Sequence, residues 1–464
     1  MACAAAPATS VTVTVDDNRT LTSTIECSSG RAAPPGRLRF KRGWFRITAM
    51  TRIQTMVCCA FFAALGAHAQ TGALSAGAAR VDITPPKDAS LPMSGYAGRG
   101  PLQGIHDNIY ARALVVDDGP TRAAIVSCDI IGFPEPVWNA LAERIEKEAG
   151  IRRENLLLAG VHTHEAPTPG LPEGGAYQAA LHDNIVDAVR QAVKNLKPAR
   201  VGFGTGRASV NTNRVARSPQ GGWMLGVNPD GVSDKTVAVV KFESATGEPI
   251  ALFVNYAVHG TVMGPKNLLV GGDLPGATSR FIEQKLGGQT VALWTSGAAG
   301  DQNAIYGPGD NFSQVDILGR ILAEEALRVA GGIRTSPRAR IRGAQKVVSC
   351  PGQRAPKGVS PARDLNIQFE DAPPVDIRLS LVMVGQVAIA GVSGEVLTRI
   401  GERLKKESPF TRTMMVTHAN GSSSYLPDDD SYKRISYEIV TSRVKPGCAE
   451  AAIVNGLVEM MEQQ

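Results

Sequence analysis

The sequence predicts an α/β protein with mixed sheets in one large domain, and three observations lead to that prediction. Short apolar runs of strand length alternate along the chain with amphipathic segments of helical spacing. The 464 residues are 43% hydrophobic and 20% charged, which is ordinary for a globular protein that buries a core. No repeat of fixed period and no linker between two independent cores interrupts the alternation that starts at Gly77. Chains with this pattern fold as packed layers of helices and sheets.

The alternation assigns each element in turn. Apolar runs at 112–118 and 122–132 are predicted strands, and the segment 136–150 follows as a helix that stops at a glycine. A fully apolar run at 155–160 leads into the sequence VHTH. The later predictions are helices at 182–196 and 315–332, strands at 237–243, 249–260 and 290–301, and a hairpin at 375–395. The stretch 335–375 is richer in Pro and Arg and is predicted to be irregular.

The charge of the chain argues against one class of partner. The net charge is only +6 at neutral pH, and the basic residues are scattered along the sequence. A nucleic-acid-binding protein would concentrate its Lys and Arg residues in a patch or stripe. We therefore expect no nucleic-acid partner. The sequence does not indicate the oligomeric state.

The N-terminal segment is predicted to lie outside the folded domain, which we place at 75–464. Residues 1–49 lack periodicity and are interpreted as a disordered leader or as a misassigned start, with synthesis beginning at Met50 or Met56. Residues 50–69 have a basic start, a short apolar run and the sequence AHA, which is the order found in a secretory signal peptide. We therefore expect a secreted or periplasmic protein. A membrane anchor is the alternative, although the apolar run is too short to span a bilayer.

Three cysteines follow the predicted cleavage site, namely Cys128, Cys350 and Cys448. Their spacing does not match a metal-binding motif. Three cysteines form at most one internal disulfide, and we expect it between Cys350 and Cys448. Cys128 lies in an apolar run that is predicted to be a strand, so we expect a buried thiol there.

Ionisable side chains gather where the apolar runs end. His162 and His164 follow one run, His259 and Asp301 follow two others, and Glu395 closes the predicted hairpin. In open α/β sheets, ligands bind beyond the carboxyl ends of the strands. We therefore expect these groups to converge on one site.

The His-x-His pattern predicts a metal site. In an extended segment, residues i and i+2 point to the same side, so His162 and His164 can address one point. Zinc needs three or four nitrogen or oxygen ligands, which His259 and Glu395 would help to supply. A catalytic zinc keeps one position open for water and lowers the pKa of that water. Three isolated histidines are instead expected to be structural residues: His106, His182 and His418.

Several motifs, in order along the chain, resemble those of the neutral, non-lysosomal ceramidase family. The family's THTHSGP motif is similar to GVHTHEAP at 160–167, and its FPVHGTSM motif is similar to NYAVHGTVM at 255–263. Its GDVSPN motif aligns with GAAGDQNA at 297–304. The resemblance covers most of residues 78–440, and further similar segments lie at 104–116, 211–219, 393–404 and 422–438.

The resemblance implies a zinc-dependent amidohydrolase with a small-molecule or lipid substrate. Zinc-activated water would cleave an N-acyl amide of a ceramide-like lipid into an amine and a carboxylate. Such a lipid would bring the protein into peripheral contact with a membrane through its substrate. The resemblance also implies four zinc ligands: His162, His259, Glu395 and Tyr425.

The same resemblance implies roles for residues around the metal. His164 would support the ligands or carry a proton, and Tyr437 would hydrogen-bond a developing oxyanion. Arg214 would face the substrate. Asp301, which we group with the catalytic residues, and Asp273, which we group with the substrate-binding residues, would brace the site.

Three departures from the family pattern bear on the substrate. Asn303 stands where the family has the serine of GDVSPN, and asparagine donates hydrogen bonds but is no nucleophile. Glu165 follows the second histidine and would place a carboxylate near the metal and the substrate. We also expect the chain to lack the family's C-terminal β-sandwich-like domain.

Three functional interpretations stay open. The first is the ceramidase-like amidohydrolase. The second is the same zinc enzyme acting on a non-ceramide polar substrate, such as another amide, an ester or a sugar-derived polymer, by hydrolysis or elimination. Arg214 and Glu165 favour this second interpretation. The third is a binding protein in which four protein ligands close a structural zinc site. A deep apolar slot would favour a lipid, and an open polar cleft would favour a sugar or a peptide.

Overall fold

The computed structural model of the protein describes residues 72–464, which contain seven α-helices, nineteen β-strands and three short 3₁₀ turns. The helices are α1 (Glu135–Ala149), α2 (Gly175–Lys194), α3 (Asp273–Lys285), α4 (Phe312–Gly332), α5 (Thr398–Glu407), α6 (Tyr437–Thr441) and α7 (Ala449–Glu462). The predicted leader and signal peptide lie outside the described residues. Between residues 72 and 464, no helix is both long and apolar enough to cross a membrane.

The strands occur in two successive groups along the chain. The first ten are β1 (Ser75–Asp82), β2 (Gly104–Ile105), β3 (Tyr110–Asp117), β4 (Arg122–Cys128), β5 (Leu156–Gly160), β6 (Lys197–Arg207), β7 (Asn211–Arg217), β8 (Trp223–Asn228), β9 (Thr236–Ser244) and β10 (Pro249–Tyr256). The other nine are β11 (Leu269–Val270), β12 (Val291–Ser296), β13 (Gln302–Ala304), β14 (Ile341–Arg354), β15 (Glu370–Val384), β16 (Val387–Val392), β17 (Glu395–Val396), β18 (Arg412–Val416) and β19 (Tyr425–Leu426).

Two mixed sheets form the centre of the fold. The larger sheet has eight strands in the order β12-β10-β9-β6-β1-β3-β4-β5, with β10 parallel to β12 and β4 parallel to β5. The smaller sheet has four strands in the order β14-β15-β16-β18, with β16 parallel to β18. The mixed α/β prediction is therefore confirmed.

The two sheets pack face to face around an apolar core. Leu114, Leu157 and Phe253 of the larger sheet share one buried cluster with Ile389 and Met414 of the smaller sheet. The outer face of the larger sheet is covered by α1 and α2 on one half and by α3 and α4 on the other. The outer face of the smaller sheet is covered by α5 and α7. The result is four layers, with helices outside both sheets.

The helices follow from their apolar spacing and their ends. In α1, Val137, Leu141 and Ile145 recur every four residues and are buried. The helix ends at Gly150, which has a left-handed φ of 67° that favours glycine. At the start of α4, the side chain of Asn311 accepts a hydrogen bond from the backbone N–H of Ser313.

The prediction of irregular structure over 335–375 is wrong for 341–354 and 370–375, whereas 355–369 lies outside helices and strands as expected. This stretch contains all of β14 and the start of β15, which pair over nearly their whole length. β14 is largely exposed or half-buried, so its sequence lacks the apolar alternation of a half-buried strand. Backbone pairing with β15 makes it a strand, with a register shift between Cys350 and Gly352.

The cysteine predictions are confirmed. Cys350 and Cys448 form a disulfide across 98 residues of sequence, and Cys128 is a buried free thiol in β4. The bridge joins β14 to the residue that precedes α7. It therefore fixes the outermost helix of the smaller sheet to the edge strand of that sheet.

Candidate metal centre

The candidate centre is built from the loops that follow four strands. His162 comes after β5, His259 after β10, and His418 after β18. Glu395 lies three residues after β16 and begins the two-residue strand β17. The loops that hold these four side chains come from both sheets, so the centre depends on the way the sheets pack together.

His162 lies at a turn and not in an extended strand. Its φ of 65° is in the left-handed region, which is uncommon for a residue other than glycine. The expected same-side geometry of an extended His-x-His segment therefore does not apply here. The turn itself brings His162 and His164 together, with their Nε2 atoms 3.4 Å apart and their rings at 82°.

Backbone carbonyl groups orient the imidazole rings of His162 and His259. The Nδ1 atom of His162 lies 2.8 Å from the carbonyl oxygen of Ile131. The Nδ1 atom of His259 lies 2.8 Å from the carbonyl oxygen of Ala299 and 3.0 Å from that of Gln302. A carbonyl can only accept, so Nδ1 carries the proton and the lone pair of Nε2 is left for a ligand.

Glu395 closes the group. Its Oε2 atom lies 3.2 Å from Nε2 of His259 and 3.4 Å from Nε2 of His162. Burial opposes ionisation of this carboxyl, but the two imidazoles outweigh that effect and hold the pKa of Glu395 well below its usual range. Glu395 is therefore an anion at neutral pH.

Burial keeps His259 and His164 neutral. It lowers the pKa of His259 to about 3, with a further contribution from the nearby guanidinium of Arg214. Burial and the neighbouring His162 and His259 also hold the pKa of His164 well below its usual range. Imidazole nitrogens and a carboxylate that converge at 3.2–3.4 Å are a donor set suited to a divalent cation such as zinc.

His418 is a site residue that sequence reasoning missed. Its ring stacks on that of His162 at a centroid distance of 3.7 Å and an angle of 14°. The ligand atoms of His162, Glu395 and His418 lie within 4.8 Å of one another, and those of His162, His164 and His259 form a second such group. His162 therefore belongs to two overlapping sets of potential ligands.

Tyr425 lies beside Glu395 through strand pairing. β17 and β19 run parallel, with Glu395 directly opposite Tyr425. The guanidinium of Arg214 donates a hydrogen bond of 2.9 Å to the Tyr425 hydroxyl and one of 2.7 Å to Glu438. Burial, together with the charge of Glu395, raises the pKa of Tyr425 well above its usual range although Arg214 opposes this. The structure thus places Tyr425 next to the histidine and glutamate group.

Tyr437 and Asn303 lie around the same arginine. The Tyr437 ring is 5.7 Å from the Tyr425 ring, and the side chain is 37% exposed. Arg214 donates a hydrogen bond of 3.3 Å to Oδ1 of Asn303. Because the oxygen of this amide accepts from Arg214, its NH₂ group remains available to donate.

Asp301 and Asp273 are buried and accept hydrogen bonds from neighbouring protein groups. Asp301 accepts hydrogen bonds from Thr398 and from the amide of Asn213. Asp273 accepts from the backbone N–H groups of Val262 and Met263, which follow His259. Both carboxylates therefore brace loops that carry site residues.

Glu165 is buried behind the centre. Its Oε2 atom lies 2.9 Å from the guanidinium of Arg99 and also accepts from the amide of Asn267. Arg99 donates in addition to the carbonyl oxygen of His164. Burial raises the pKa of Glu165 to about 8, even though Arg99 favours the carboxylate. The contact with Arg99 links Glu165 to the backbone of His164.

A cavity of about 380 Å³ reaches the centre from outside. His162, Glu395 and His418 form part of its wall. The other lining residues are of mixed character and include the apolar Ile131, Phe133, Pro134 and Pro169 and the polar Glu135, Thr168, Ser422, Ser424 and Arg443. The cavity therefore gives a small molecule access to groups in both sets of potential ligands.

The sequence analysis did not select two residues of this region, His418 and Arg99. A sequence pattern could have identified His418 but not Arg99. His418 follows the apolar run TMMV, just as His259 follows NYAV, so the strand-end argument applied to β18 would have selected it. Arg99 lies in a loop of 92–103 without any periodic pattern, and only the folded chain brings it to Glu165.

Comparisons with known proteins point to one family. The N-terminal domain of neutral/alkaline non-lysosomal ceramidases matches residues 74–305. Among curated proteins, neutral ceramidase B of Dictyostelium discoideum is 33% identical over 240 residues, which cover 47% of this chain and 32% of that protein. Neutral ceramidase of Pseudomonas aeruginosa is 28% identical over 281 residues, which cover 55% of this chain and 42% of that protein. The chain thus spans well under half the length of these relatives.

Solved structures show the same fold. A structure described as ceramidase complexed with C2 superposes with a TM-score of 0.69 at 20% identity and covers 84% of this chain and 76% of that chain. The crystal structure of neutral ceramidase from Pseudomonas aeruginosa gives a TM-score of 0.67 at 21% identity, with 84% and 75% covered. At such low identity, the likeness concerns the arrangement of strands and helices.

Proposed function

The chain belongs to the neutral/alkaline non-lysosomal ceramidase family, and from this premise we propose that it is a zinc-dependent hydrolase that cleaves the amide bond of an N-acyl lipid of the ceramide class. One observation carries the proposal. The Nε2 atoms of His162 and His259 both lie within 3.4 Å of the same carboxylate oxygen of Glu395. The backbone bonds at their Nδ1 atoms leave both nitrogens free to ligate.

We propose His162, His259, Glu395 and Tyr425 as the ligands. A zinc ion held there would polarise the amide carbonyl and acidify a water molecule. Tyr425 reaches the group through its pairing with Glu395, and Arg214 fixes the position of its hydroxyl. The wall that His162 and Glu395 contribute to the cavity leaves a side of the centre accessible to substrate, unlike a closed structural zinc site.

Three neighbouring residues would serve the reaction. His164 is neutral and its Nε2 atom faces the ligands, so it would accept a proton from water and deliver it to the departing amine. Tyr437 presents a partly exposed hydroxyl beside Tyr425, and Asn303 has a free amide donor. Both would donate to the oxyanion that forms at the carbonyl oxygen, and this assigns Asn303 a supporting role in place of a nucleophile.

A second candidate is a more polar substrate for the same centre. Part of the cavity wall is polar, and Arg443 has no carboxylate partner among residues 72–464. A short polar amide, an ester or a sugar-derived polymer would find hydrogen-bonding partners there that a bare hydrocarbon would not use. The apolar Ile131 and Phe133 in the same wall favour the lipid.

We propose that the protein works outside the cytoplasm, either secreted or in the periplasm. The disulfide between Cys350 and Cys448 is typical of an oxidising compartment. The signal-peptide pattern of residues 50–69 supports the same location. If the substrate is a membrane lipid, the protein would meet the membrane through that substrate.

The test combines metal content with product release. Zinc-loaded protein is incubated with a short-chain N-acyl-sphingosine, and sphingosine is measured together with bound zinc. We expect release by the wild type and loss of both zinc and release in His259→Ala. Tyr437→Phe should keep its zinc and lose roughly 100- to 1000-fold in kcat. His182→Ala, which changes a histidine on α2 outside the centre, is the matched control and should retain both properties.

The other possible results of this assay distinguish the proposed lipid amidase from an enzyme with a polar substrate and from a binding protein. Zinc binding without sphingosine release would favour the polar substrate, and the assay would turn to polar amides, esters and glycans. Full zinc content in His259→Ala would show that the proposed ligand set is wrong. Zinc binding without hydrolysis of any of these substrates would favour a binding protein with a structural metal.

A further inference from the structure

A second cavity lies at the opposite ends of the strands that carry the metal centre. Its volume is about 560 Å³, and its wall includes Val387 and Arg412, the first residues of β16 and β18. Glu395 and His418 follow the last residues of the same two strands. The second cavity and the metal centre are therefore separated by the length of strands β16 and β18. We call it the arginine cavity because its wall contains Arg338, Arg340, Arg342 and Arg412.

The backbone explains how four arginines come to one place. Arg338, Arg340 and Arg342 alternate with Ala339 and Ile341, which are buried. In a nearly extended chain, residues i, i+2 and i+4 lie on the same side, so the three arginines share the side away from the core.

Arg412 approaches from the other edge of the sheet. Ile341 pairs with Val384, Val384 with Val387, and Val387 with Arg412, in one row across the four strands. Three strand spacings separate the two ends of this row, a distance of about 14 Å. Residues of one row face the same side of a sheet, so Arg412 lies on the side of Ile341, whereas Arg340 and Arg342 lie on the other side. The three arginines come together in the cavity wall at the end of the sheet.

The side chains that line this cavity carry an excess of positive charge, although Gln464, the last residue of the described chain, brings its α-carboxylate to the same wall. The lining contains four arginines and no Asp or Glu. None of the four forms an ion pair with a carboxylate of residues 72–464, whereas Arg320 and Arg328 on α4 each pair with a glutamate. Like charges held together repel one another, and an anion bound between them relieves that repulsion.

The chemistry of the side chains indicates the kind of anion. A guanidinium offers parallel N–H donors that match two oxygens of a phosphate, and arginine is the residue that most favours such bidentate contacts. Val387 and Phe410 add an apolar part to the wall. A cavity of about 560 Å³ is of the size that holds a small molecule.

We propose that the arginine cavity binds a compact ligand with two or more clustered phosphate groups, independently of the metal centre. One phosphate group would contact Arg340 and Arg342, and another would contact Arg412 across the row. Two sources share this chemistry, a free polyphosphorylated metabolite and a phosphate-bearing lipid headgroup.

The experiment measures binding of inorganic tripolyphosphate to the full protein by calorimetry at about 0.1 M salt. Inorganic phosphate, which has a single phosphate group, serves as the comparison. We expect tripolyphosphate to bind at least ten times more tightly than phosphate, because only the longer anion reaches both ends of the row. The double variant Arg340→Gln/Arg412→Gln should weaken tripolyphosphate binding at least tenfold. The lysine variant Arg340→Lys/Arg412→Lys should fall in between, since it keeps the charge but loses the paired donors.

The matched control is Arg320→Gln/Arg328→Gln, which removes the same charge from α4 and should bind tripolyphosphate as the wild type does. The metal centre is the same in this control and in Arg340→Gln/Arg412→Gln. Any binding of tripolyphosphate through zinc would therefore persist in both of these variants. Equal binding by the wild type and Arg340→Gln/Arg412→Gln would overturn the proposal.

A second arm separates the two sources. Vesicles of phosphatidylcholine with phosphatidylinositol bisphosphate, whose headgroup carries several phosphate groups, are compared with vesicles of phosphatidylcholine alone. Binding to the acidic vesicles that is lost in Arg340→Gln/Arg412→Gln would support the proposal and identify the lipid headgroup as the source. Binding of tripolyphosphate alone would identify the free metabolite. Binding of neither probe would overturn the proposal.

Discussion

Glu165 is a single buried side chain that links stability to pH. Its carboxyl contacts Arg99 and Asn267 and is fully buried. Burial raises its pKa to about 8 in the folded protein, above the value of 4.5 expected for an exposed Glu. A carboxyl whose pKa is raised on folding stabilises the native state most at low pH. That contribution is lost as the pH rises from about 4.5 to about 8.

We therefore predict that Glu165→Gln removes this pH dependence. At pH 5 the wild-type carboxyl is protonated in the folded state, so the isosteric amide should have little effect. At pH 8.5 the variant should be more stable than the wild type by up to roughly 5 kcal/mol, since one unit of pKa corresponds to about 1.4 kcal/mol. Urea unfolding at pH 5, 6.5 and 8.5 measures the difference.

Glu324→Gln is the control, because Glu324 forms an exposed ion pair on α4 and should show no comparable trend. Destabilisation of Glu165→Gln by the same amount at every pH would mean that Glu165 is ionised throughout and that its pairing with Arg99 dominates over burial.

At the scale of elements, the end of β5 sets the position of His162. Gly160 is the last residue of the strand and passes very close to Gly132. A Cβ atom at Gly160 would lie 2.7 Å from Cα of Gly132 and 2.9 Å from the carbonyl oxygen of Ile130. The same segment holds His162, whose backbone N–H donates to Ile130 at 3.0 Å. The strand end and the histidine are therefore fixed by one set of contacts.

We predict that Gly160→Ala weakens metal binding as well as folding. The added methyl group must push the two backbones apart, which costs about 1–3 kcal/mol. The displaced loop also carries the orienting bond to His162, so the zinc affinity should fall by roughly tenfold or more. Thermal unfolding and competition with a zinc chelator measure the two effects.

Gly331→Ala near the end of α4 is the matched control. A Cβ atom there meets no other atom within 4 Å, and alanine in a helix should be neutral or stabilising by up to about 1 kcal/mol. Wild-type zinc affinity in Gly160→Ala would show that the contact with Gly132 does not position His162.

The elements also show how far the sequence alone predicts this protein. Apolar runs and helical spacing predicted α1, α4 and the strands of the buried sheet, because burial on one face leaves a periodic pattern and burial on both faces leaves a continuous apolar run. β14 was missed because an exposed edge strand has no such pattern. The convergence of strand ends was predicted, but the left-handed turn at His162 was not, since a local backbone conformation set by tertiary contacts leaves no periodicity.

At the scale of the whole molecule, the candidate centre lies at the junction between the two sheets. His162 and His259 follow strands of the larger sheet, and Glu395 and His418 follow strands of the smaller sheet. Any relative movement of the sheets would separate His162 and His259 from Glu395. The stability of the smaller sheet is therefore coupled to metal binding.

The disulfide is the covalent constraint on that smaller sheet. It closes a loop of 98 residues that contains Glu395, His418 and Tyr425. In the chain-entropy account, a crosslink over such a loop reduces the entropy of the unfolded state and stabilises the fold by about 4–5 kcal/mol. The stabilisation falls on the half of the molecule that supplies one side of the candidate centre.

We predict that Cys350→Ala/Cys448→Ala lowers the Tm by about 5 °C, from the entropy of unfolding expected for a domain of this size. The zinc affinity of the variant should fall as well, because Glu395 and Tyr425 belong to the released loop. Differential scanning calorimetry of the zinc-loaded and zinc-free forms measures both effects. A reductant should lower the Tm of the wild type and leave that of the double variant unchanged, since its remaining cysteine in the described chain is the buried thiol Cys128. A lower Tm with unchanged zinc affinity would mean that the packing of the two sheets holds the centre together without the crosslink.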